Sequence, residues 1–295
     1  MKRSNFYQRI LTHPVVLRYT QWEYLPIPIA NAPVFLIVLY FAIRARKLTF
    51  FAAANPAIDT GGVFGESKID ILRQLPQMLI PETIFVQQNT ALEDVCYKMQ
   101  AQGMKFPIIA KPNVGERGQS VSKLKNLEDL TAYWKAFQAD FILQTFIDFP
   151  KEVSVLYCRY PNKAKGSILS LCLKEFLSVV GDGKRNVAAL MADSPRANIQ
   201  LERFLKQQPE LMRYVPALNE KVELEPIGNH SRGTTFLNGN PYITEKLVQV
   251  FDQISHQLEG IYYGRYDIKC ESLEAMEAGT GFKILEFNGV AGEPA

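Results

Sequence analysis

The chain has 295 residues, of which 47% are hydrophobic and 21% are charged, and its mean hydropathy is -0.07. These values are typical of a soluble globular protein and exclude a disordered chain, a collagen-like fibre and a polytopic membrane protein. The formal net charge is only +3. Because bulk charge of this size does not indicate binding to a polyanionic duplex, no nucleic-acid partner is expected.

Cysteine and histidine are few and scattered along the chain. The four cysteines form no C-x-x-C pair, which argues against a zinc ribbon and against a disulfide scaffold. The three histidines are also far apart, so a histidine-based metal site is not expected. Reduced thiols in a cytoplasmic setting are the default interpretation.

The first 47 residues differ from the rest of the chain, since they carry seven basic residues and one acidic residue. They include Leu25–Ile43, a stretch of 19 residues without a charge. Three prolines interrupt it and leave only about half of the roughly 20 apolar residues that a spanning helix needs. Three interpretations stay open: a buried helix, a peripheral membrane contact by residues 25–47 with the following bases on the headgroups, and a true span.

From residue 48 onward, strand and helix patterns alternate in blocks. Pro81 separates a first helix from the next strand, and Gly103 ends a second helix. Blocks of helices and antiparallel strand pairs indicate an α+β protein rather than a doubly wound sheet. The predicted strands are 48–54, 83–87, 106–111, 121–124, 141–146, 152–160, 167–180, 262–270 and 282–287, and the predicted helices are 68–78, 92–103, 127–138, several between 187 and 213, and 244–259.

A lysine at the end of a predicted strand begins the first motif. Lys111 is followed by a loop that contains Gly115 and Gly118. Such a loop places a cation and several backbone N–H groups around a polyphosphate. A tight hairpin needs glycines for ordinary turn reasons, so a structural interpretation of this loop also stays open.

The second motif is the segment Gln144–Val153, in which a strand ends in a hinge. A hinge of this kind offers backbone N–H and C=O groups to an adenine edge, and Glu152 could accept hydrogen bonds from ribose hydroxyls. A plain strand followed by a turn and a solvated glutamate is the alternative.

The third motif pairs two strands near the C-terminus. Asp267 lies on the first, and Glu286 and Asn288 lie two residues apart on the second. If the strands are neighbours, these side chains form an all-oxygen cluster suited to Mg2+. Cross-strand pairing with Arg265 or Lys269 on an exposed face is the alternative.

Taken in order, these motifs resemble the ATP-grasp superfamily of carboxylate ligases, in particular its cyanophycin-synthetase-like and D-alanine:D-alanine ligase-like members. The resemblance covers about residues 65–290. Its motifs are Ser67–Lys68, Phe106–Val121, Gln144–Glu152, Val179–Val187, Asn229–Thr234, Gly264–Asp267 and Glu286–Asn288.

The resemblance implies an ATP-grasp fold, in which two α+β subdomains grip ATP. The apolar and basic segment 1–47 and a small α/β region, 48–90, would precede it. Residues 91–295 would form the ATP-grasp domain, with a lid subdomain at about 91–145. Members of the superfamily usually continue past the metal-binding strand, so a truncated C-terminus is one interpretation.

The resemblance also implies roles for individual residues. Arg265, Arg232 and Lys184 would be catalytic. Asp267, Glu286 and Asn288 would hold Mg2+ or Mn2+, in a site for two ions. The ATP-binding residues would be Lys68, Lys111, Gly115, Glu116, Arg117, Gly118, Gln119, Ser120, Val121, Gln144, Thr145, Ile147, Glu152 and Lys174.

The implied reaction joins a small-molecule carboxylate to an amine. The carboxylate attacks the γ-phosphate of ATP, and the amine then displaces phosphate from the acyl phosphate. Phosphotransfer, carboxylate-thiol ligation and a membrane-associated ATP-binding pseudoenzyme are the alternatives. The expected location is the cytoplasm, with the inner face of the membrane as an alternative.

Overall fold

The structure is a computed structural model that describes residues 32–115, 120–225 and 233–294. The chain divides into two compact units, a smaller one from residues 1–48 and 175–236 and a larger one from residues 49–174 and 237–295. The predicted α+β class is confirmed, because helices alternate with antiparallel strand pairs. The predicted boundaries at residues 47 and 90 and the lid subdomain stay predictions.

The secondary structure follows the chain in this order. The helices are α1 (Ala32–Ala45), α2 (Lys68–Gln74), α3 (Leu92–Ala101), α4 (Leu127–Ala136), α5 (Val187–Asp193), α6 (Pro195–Gln207), α7 (Pro209–Arg213), α8 (Glu245–Ser255) and α9 (Leu273–Glu277). The strands are β1 (Thr83–Val86), β2 (Ile108–Pro112), β3 (Ser122–Leu124), β4 (Phe141–Thr145), β5 (Lys151–Cys158), β6 (Ser167–Glu175), β7 (Ser178–Val180), β8 (Lys221–Glu223), β9 (Thr235–Asn238), β10 (Tyr263–Cys270) and β11 (Phe282–Asn288).

Two sheets organise the larger unit. The first has four strands in the order β1-β4-β2-β3, and Val95 of α3 and Leu130 of α4 share its apolar core. The second has five strands in the order β11-β10-β5-β6-β9. Leu72 of α2 and Phe251 of α8 share the core of this second sheet with Tyr266 of β10. The helices bury their apolar stripes against the sheets, as amphipathic helices do.

The smaller unit contains a third sheet, formed by β7 and β8, and the helices α5, α6 and α7. Its core includes Val179 of β7, Met191 of α5 and Phe204 of α6. Helix α1 also belongs to this unit, and Ala42 is its only buried residue among those described. The helices in the described ranges include none that is long and apolar enough to cross a membrane.

Three predicted elements differ in the structure. Residues 48–54 are not a strand, since Phe50–Ala54 form a 3-10 helix. The side chain of Asn55 holds the end of this segment at the start of β10, where its Oδ1 accepts hydrogen bonds from the N–H groups of Tyr262 and Tyr263. Tertiary contacts of this kind override local strand propensity.

The other two differences concern element ends. The helix predicted to reach Met78 stops at Gln74, because Leu75 precedes a proline and has an extended backbone. The single strand predicted over 167–180 is two strands, β6 and β7, which lie in different sheets. The short elements β8, β9 and α9 were not predicted, since three to five residues carry little periodicity.

Candidate active site

Seven charged side chains meet on the second sheet of the larger unit and on the elements beside it. Strands β10 and β5 run antiparallel, and Asp267 lies opposite Ser154 of β5 and Glu286 of β11. We call this group the charged cluster. It consists of Lys68, Lys111, Glu152, Lys174, Arg265, Asp267 and Glu286.

Asp267 lies at the centre of the charged cluster. Its Oδ1 accepts hydrogen bonds from Ser154 Oγ at 2.5 Å and Lys174 Nζ at 3.1 Å. Its Oδ2 accepts from Arg265 at 3.1 Å and Asn288 Nδ2 at 3.0 Å. Burial raises the pKa of Asp267, but Arg265 and Lys174 outweigh burial and hold the pKa well below its usual range. This carboxylate is therefore ionised at neutral pH.

Lys68 begins helix α2 and joins it to the charged cluster. Its Nζ lies 3.0 Å from Glu286 Oε1 and donates to the carbonyl of Gly115 at 2.6 Å. Asn113 holds the start of the helix, because its backbone carbonyl accepts from Lys68 N and its Oδ1 accepts from Ile69 N. The lysine is thus fixed between a carboxylate and the loop that follows β2.

Lys111 is the most deeply buried lysine of the charged cluster. Its side chain leaves β2 and donates to the carbonyl of Leu285 at 2.9 Å. Burial lowers its pKa to about 8, and the attraction of Glu286 only partly opposes this shift. An anion bound beside Lys111 would restore the charged form.

Lys174 of β6 joins two carboxylates on neighbouring strands. Its Nζ lies 3.0 Å from Glu152 Oε1 and 3.1 Å from Asp267 Oδ1. Burial lowers the pKa of Lys174, but Asp267 and Glu152 outweigh that effect and raise it above its ordinary value. Glu152 itself is buried in this contact, and its predicted bond to a ribose stays a prediction.

The oxygen ligands expected for Mg2+ lie on the adjacent strands β10 and β11. Asp267 and Glu286 are directly opposite each other, and Asn288 reaches Asp267 through its amide. Two carboxylates and an amide oxygen are the donors that Mg2+ and Mn2+ prefer. No group of three or more His, Cys, Asp or Glu side chains in the described residues could hold a metal. The donor chemistry fits one of these cations if it replaces the present contacts of Glu286 with Lys68 and of Asp267 with Asn288.

The predicted adenine hinge follows β4. Gln144 is buried in the sheet, where its Nε2 donates to Thr83 Oγ1 at 3.1 Å. Thr145 and Ile147 are half-buried and line a cavity of about 1120 Å³, together with Pro81 and Phe85. The side chain of Gln144 therefore has a partner within the sheet, whereas the two following positions border open space.

Only the ends of the predicted phosphate-binding loop are described. Gly115 has a φ of 149° and accepts the bond from Lys68. Ser120 accepts a hydrogen bond from Tyr133 through its carbonyl, and Val121 is half-buried. The intervening predictions, Glu116, Arg117, Gly118 and Gln119, lie outside the described residues.

Two predicted catalytic residues are not part of the charged cluster as described. Lys184 is exposed in a turn of the smaller unit, where its N–H donates to Asp182 Oδ1 at 2.9 Å. Arg232 lies outside the described residues, as does most of the segment 229–234. The roles of both residues stay predictions.

Sequence reasoning missed Ser154 and Asn113. Ser154 lies two positions after Glu152 on β5, so the period of two that places alternate strand residues on one face could have identified it. Asn113 follows β2 directly, and its bonds to α2 depend on the tertiary structure.

Comparison with known proteins finds similarity in structure alone. The sequence matches no protein-family model and no curated protein. A bifunctional glutathione synthetase from Pasteurella multocida is 19% identical over 75% of this chain and 32% of its own, with a TM-score of 0.39. The VanG D-Ala:D-Ser ligase from Enterococcus faecalis is 9% identical over 79% of this chain and 54% of its own, with a TM-score of 0.45.

A D-alanine--D-alanine ligase from Bacillus anthracis is 14% identical over 79% of this chain and 58% of its own, with a TM-score of 0.41. These proteins are ATP-grasp ligases, the superfamily that the sequence motifs resemble. The chain spans between about one third and three fifths of their lengths. Because all three TM-scores are below 0.5, the similarity carries no argument about activity.

Proposed function

We propose that the chain is an ATP-dependent carboxylate-amine ligase with an ATP-grasp site, which acts through an acyl phosphate and releases ADP and phosphate. The observation that carries the proposal is the charged cluster, in which four cations surround three carboxylates within contact distance. Its substrates would be a small-molecule carboxylate and an amine, and its location would be the cytoplasm.

The balance of charge in the charged cluster favours a polyanionic ligand. Buried cations are costly unless they are paired, and here one more cation than carboxylate is present. Lys111 shows this cost directly, since its pKa falls to about 8. A triphosphate would supply the missing negative charge, and its binding would raise the pKa of Lys111 again.

The oxygen ligands on β10 and β11 would hold Mg2+, with Mn2+ as a substitute and with room in the proposal for a second ion. Asp267 and Glu286 are placed for this role by their direct register, and Asn288 by its contact with Asp267. The metal, when bound, would neutralise charge on the phosphate oxygens. Ser154 and Lys174 would keep Asp267 ionised and oriented.

The reaction would proceed in two steps. A carboxylate oxygen attacks the γ-phosphorus of ATP, the bond to the β-phosphate oxygen breaks, and ADP leaves. The amine nitrogen then attacks the acyl carbon, loses its proton, and inorganic phosphate departs. The protein contributes alignment and charge neutralisation in both steps rather than covalent chemistry.

Arg265 is placed to stabilise the developing charge. One of its terminal nitrogens pairs with Asp267, while its buried Nε has no hydrogen-bond partner among the described residues. A buried donor without a partner is costly. An oxyanion formed beside Arg265 could accept this bond, which would make the stabilisation stronger in the transition state than in the free site.

The test is Mg2+-dependent release of ADP from ATP in the presence of pooled amino acids and small carboxylic acids. Release that requires both an acid and an amine, and that falls in Asp267→Asn but not in Glu202→Gln, supports the ligase. Glu202 is a suitable control, because it is an exposed carboxylate that also pairs with a lysine.

Other acceptor requirements separate the alternatives. Release that requires a thiol instead of an amine would identify carboxylate-thiol ligation, and transfer of phosphate to an acceptor without acid activation would identify a phosphotransferase. ATP binding without release under all these conditions would contradict the ligase proposal and favour a pseudoenzyme.

A further inference from the structure

Helix α1 exposes apolar side chains around its whole circumference. The side chains at positions 34, 35, 36 and 37 point in directions about 100° apart, as successive helix positions do. All four are at least 49% exposed. Four further apolar side chains of the helix are exposed as well, namely Leu39, Tyr40, Phe41 and Ile43. A surface helix of a globular protein instead shows one apolar stripe and one polar face.

Basic residues gather where the helix ends. Arg44, Arg46 and Lys47 are exposed. Arg46 has a φ of 52°, and the N–H groups of Arg46 and Lys47 donate to the carbonyls of Ile43 and Ala42. This left-handed turn stops the helix and keeps all three charges at the same end as Ile43.

An apolar helix with bases at one end matches one leaflet of a bilayer. The 14 residues of α1 span about 21 Å, whereas the hydrocarbon core of a bilayer is about 30 Å thick. The helix is therefore long enough to enter the acyl chains and too short to cross them. Bases at the headgroup level attract anionic lipids, and each contributes about a factor of five in affinity.

A protein groove or a second copy of α1 fits these observations less well. Either partner would cover one stripe of the helix and leave the opposite side chains in water. Acyl chains cover all sides of an inserted helix. The position of the bases at a single end also matches a planar charged surface better than it matches a groove along the helix.

We propose that residues 32–47 insert into one leaflet of a membrane that contains anionic lipids, with α1 among the acyl chains and Arg44, Arg46 and Lys47 at the headgroups. This inference does not depend on the proposed ligase activity. It adds a membrane surface as the place where this chain binds.

Flotation of the full chain with lipid vesicles tests the proposal. The chain should float with vesicles of phosphatidylcholine and phosphatidylglycerol and much less with phosphatidylcholine alone. The double variant Leu36→Ser, Ile43→Ser removes two side chains that are 71% and 69% exposed, so folding should not depend on them. We expect its binding to fall at least about tenfold, because two apolar side chains no longer enter the acyl region.

Two further variants complete the design. Arg44→Gln with Lys47→Gln should weaken binding to anionic vesicles on the order of tenfold and reduce its salt dependence. Leu218→Ser is the matched control, since Leu218 is also 71% exposed and lies outside α1. Its binding should equal that of the unchanged chain.

Several results would overturn the proposal. They are folded protein that ignores both vesicle types, binding that survives Leu36→Ser with Ile43→Ser, and equal binding to neutral and anionic vesicles. An oligomer that does not float, and that the same double variant converts to a monomer, would instead show that a second copy covers α1. All of these measurements need no nucleotide, so they are separate from the test of the ligase.

Discussion

Two regions of the molecule combine basic side chains with aspartate, and they differ in their access to water. In the charged cluster, Asp267 is buried and contacts Lys174 and Arg265. In the turn of the smaller unit, Arg185 lies 2.6 Å from Asp182 and also pairs with Asp193, and Arg185 is exposed. The pKa of both Asp267 and Asp182 lies below the usual range of a carboxyl group.

The causes of these two lowered pKa values differ. At Asp182, the backbone N–H of Arg185 and the Arg185 side chain donate hydrogen bonds to a carboxylate that is open to solvent. At Asp267, burial acts in the opposite direction, and only the nearby cations keep the carboxylate charged. Pairs in water are screened and contribute little, whereas removal of one member of a buried group leaves the others uncompensated. The same residue types therefore have different consequences in the two regions.

The largest effect is expected for Asp267→Asn. The amide cannot match the charges of Arg265 and Lys174, so ADP release should fall by about 100- to 1000-fold. The free energy of unfolding should also fall by about 3 kcal/mol or more, because cations stay buried without their carboxylate. ADP release per folded molecule and urea unfolding measure the two effects. Full activity in a folded variant would make the charged cluster a structural feature only.

A second substitution separates binding from stability. Lys111→Met should lower the affinity for ATP by about 30-fold, since a charge-assisted bond to phosphate is lost. The free energy of unfolding should stay equal or rise, because the lysine is buried at a cost that methionine does not have. Calorimetric titration with ATP measures the affinity, and Lys206→Met on the exposed helix α6 is the control. Unchanged affinity with lost stability would show that Lys111 supports the fold instead.

The lowered pKa of Lys111 also predicts a pH dependence of stability. The pKa is about 8 in the folded chain and 10.5 in the ordinary state. Between these values the unfolded chain binds more protons, so the contribution of Lys111 to the free energy of unfolding rises with pH. The rise is at most on the order of 3 kcal/mol.

Urea unfolding at about pH 7.5 and about pH 10 measures this rise as a difference between the unchanged chain and Lys111→Met, which cancels the other groups that titrate there. Equal slopes in the two proteins would show that Lys111 is not charged at a cost in the folded chain.

The smallest effects are expected in the turn of the smaller unit. A Cβ on Gly181 would lie 2.1 Å from the carbonyl oxygen of Ala217, so Gly181→Ala should lower the free energy of unfolding by roughly 1–3 kcal/mol. Lys184→Ala should change it by less than about 0.5 kcal/mol, because the side chain is exposed. If Lys184→Ala nevertheless lowers ADP release, the catalytic role predicted for Lys184 is supported. Equal destabilisation by both variants would contradict the difference drawn here.

The sequence predicted most of the long elements and much of the site. The pairing of β10 with β11 could be predicted because both strands are apolar and carry polar residues at alternate positions, so Asp267 and Glu286 face each other as expected. The segment 48–54 was assigned wrongly as a strand, because the contacts of Asn55 with β10 come from residues more than 200 positions away.

By itself, the sequence determined which chemistry is available and in which elements it lies. Local periodicity and motif spacing identify Lys111 at a strand end and the carboxylates of β10 and β11. Only the tertiary structure decided that Lys174 and Ser154 both bind Asp267, that Lys111 is buried, and that α1 is exposed. The physical reason is that burial and contact depend on strands brought together from distant parts of the chain, and local patterns carry no record of that arrangement.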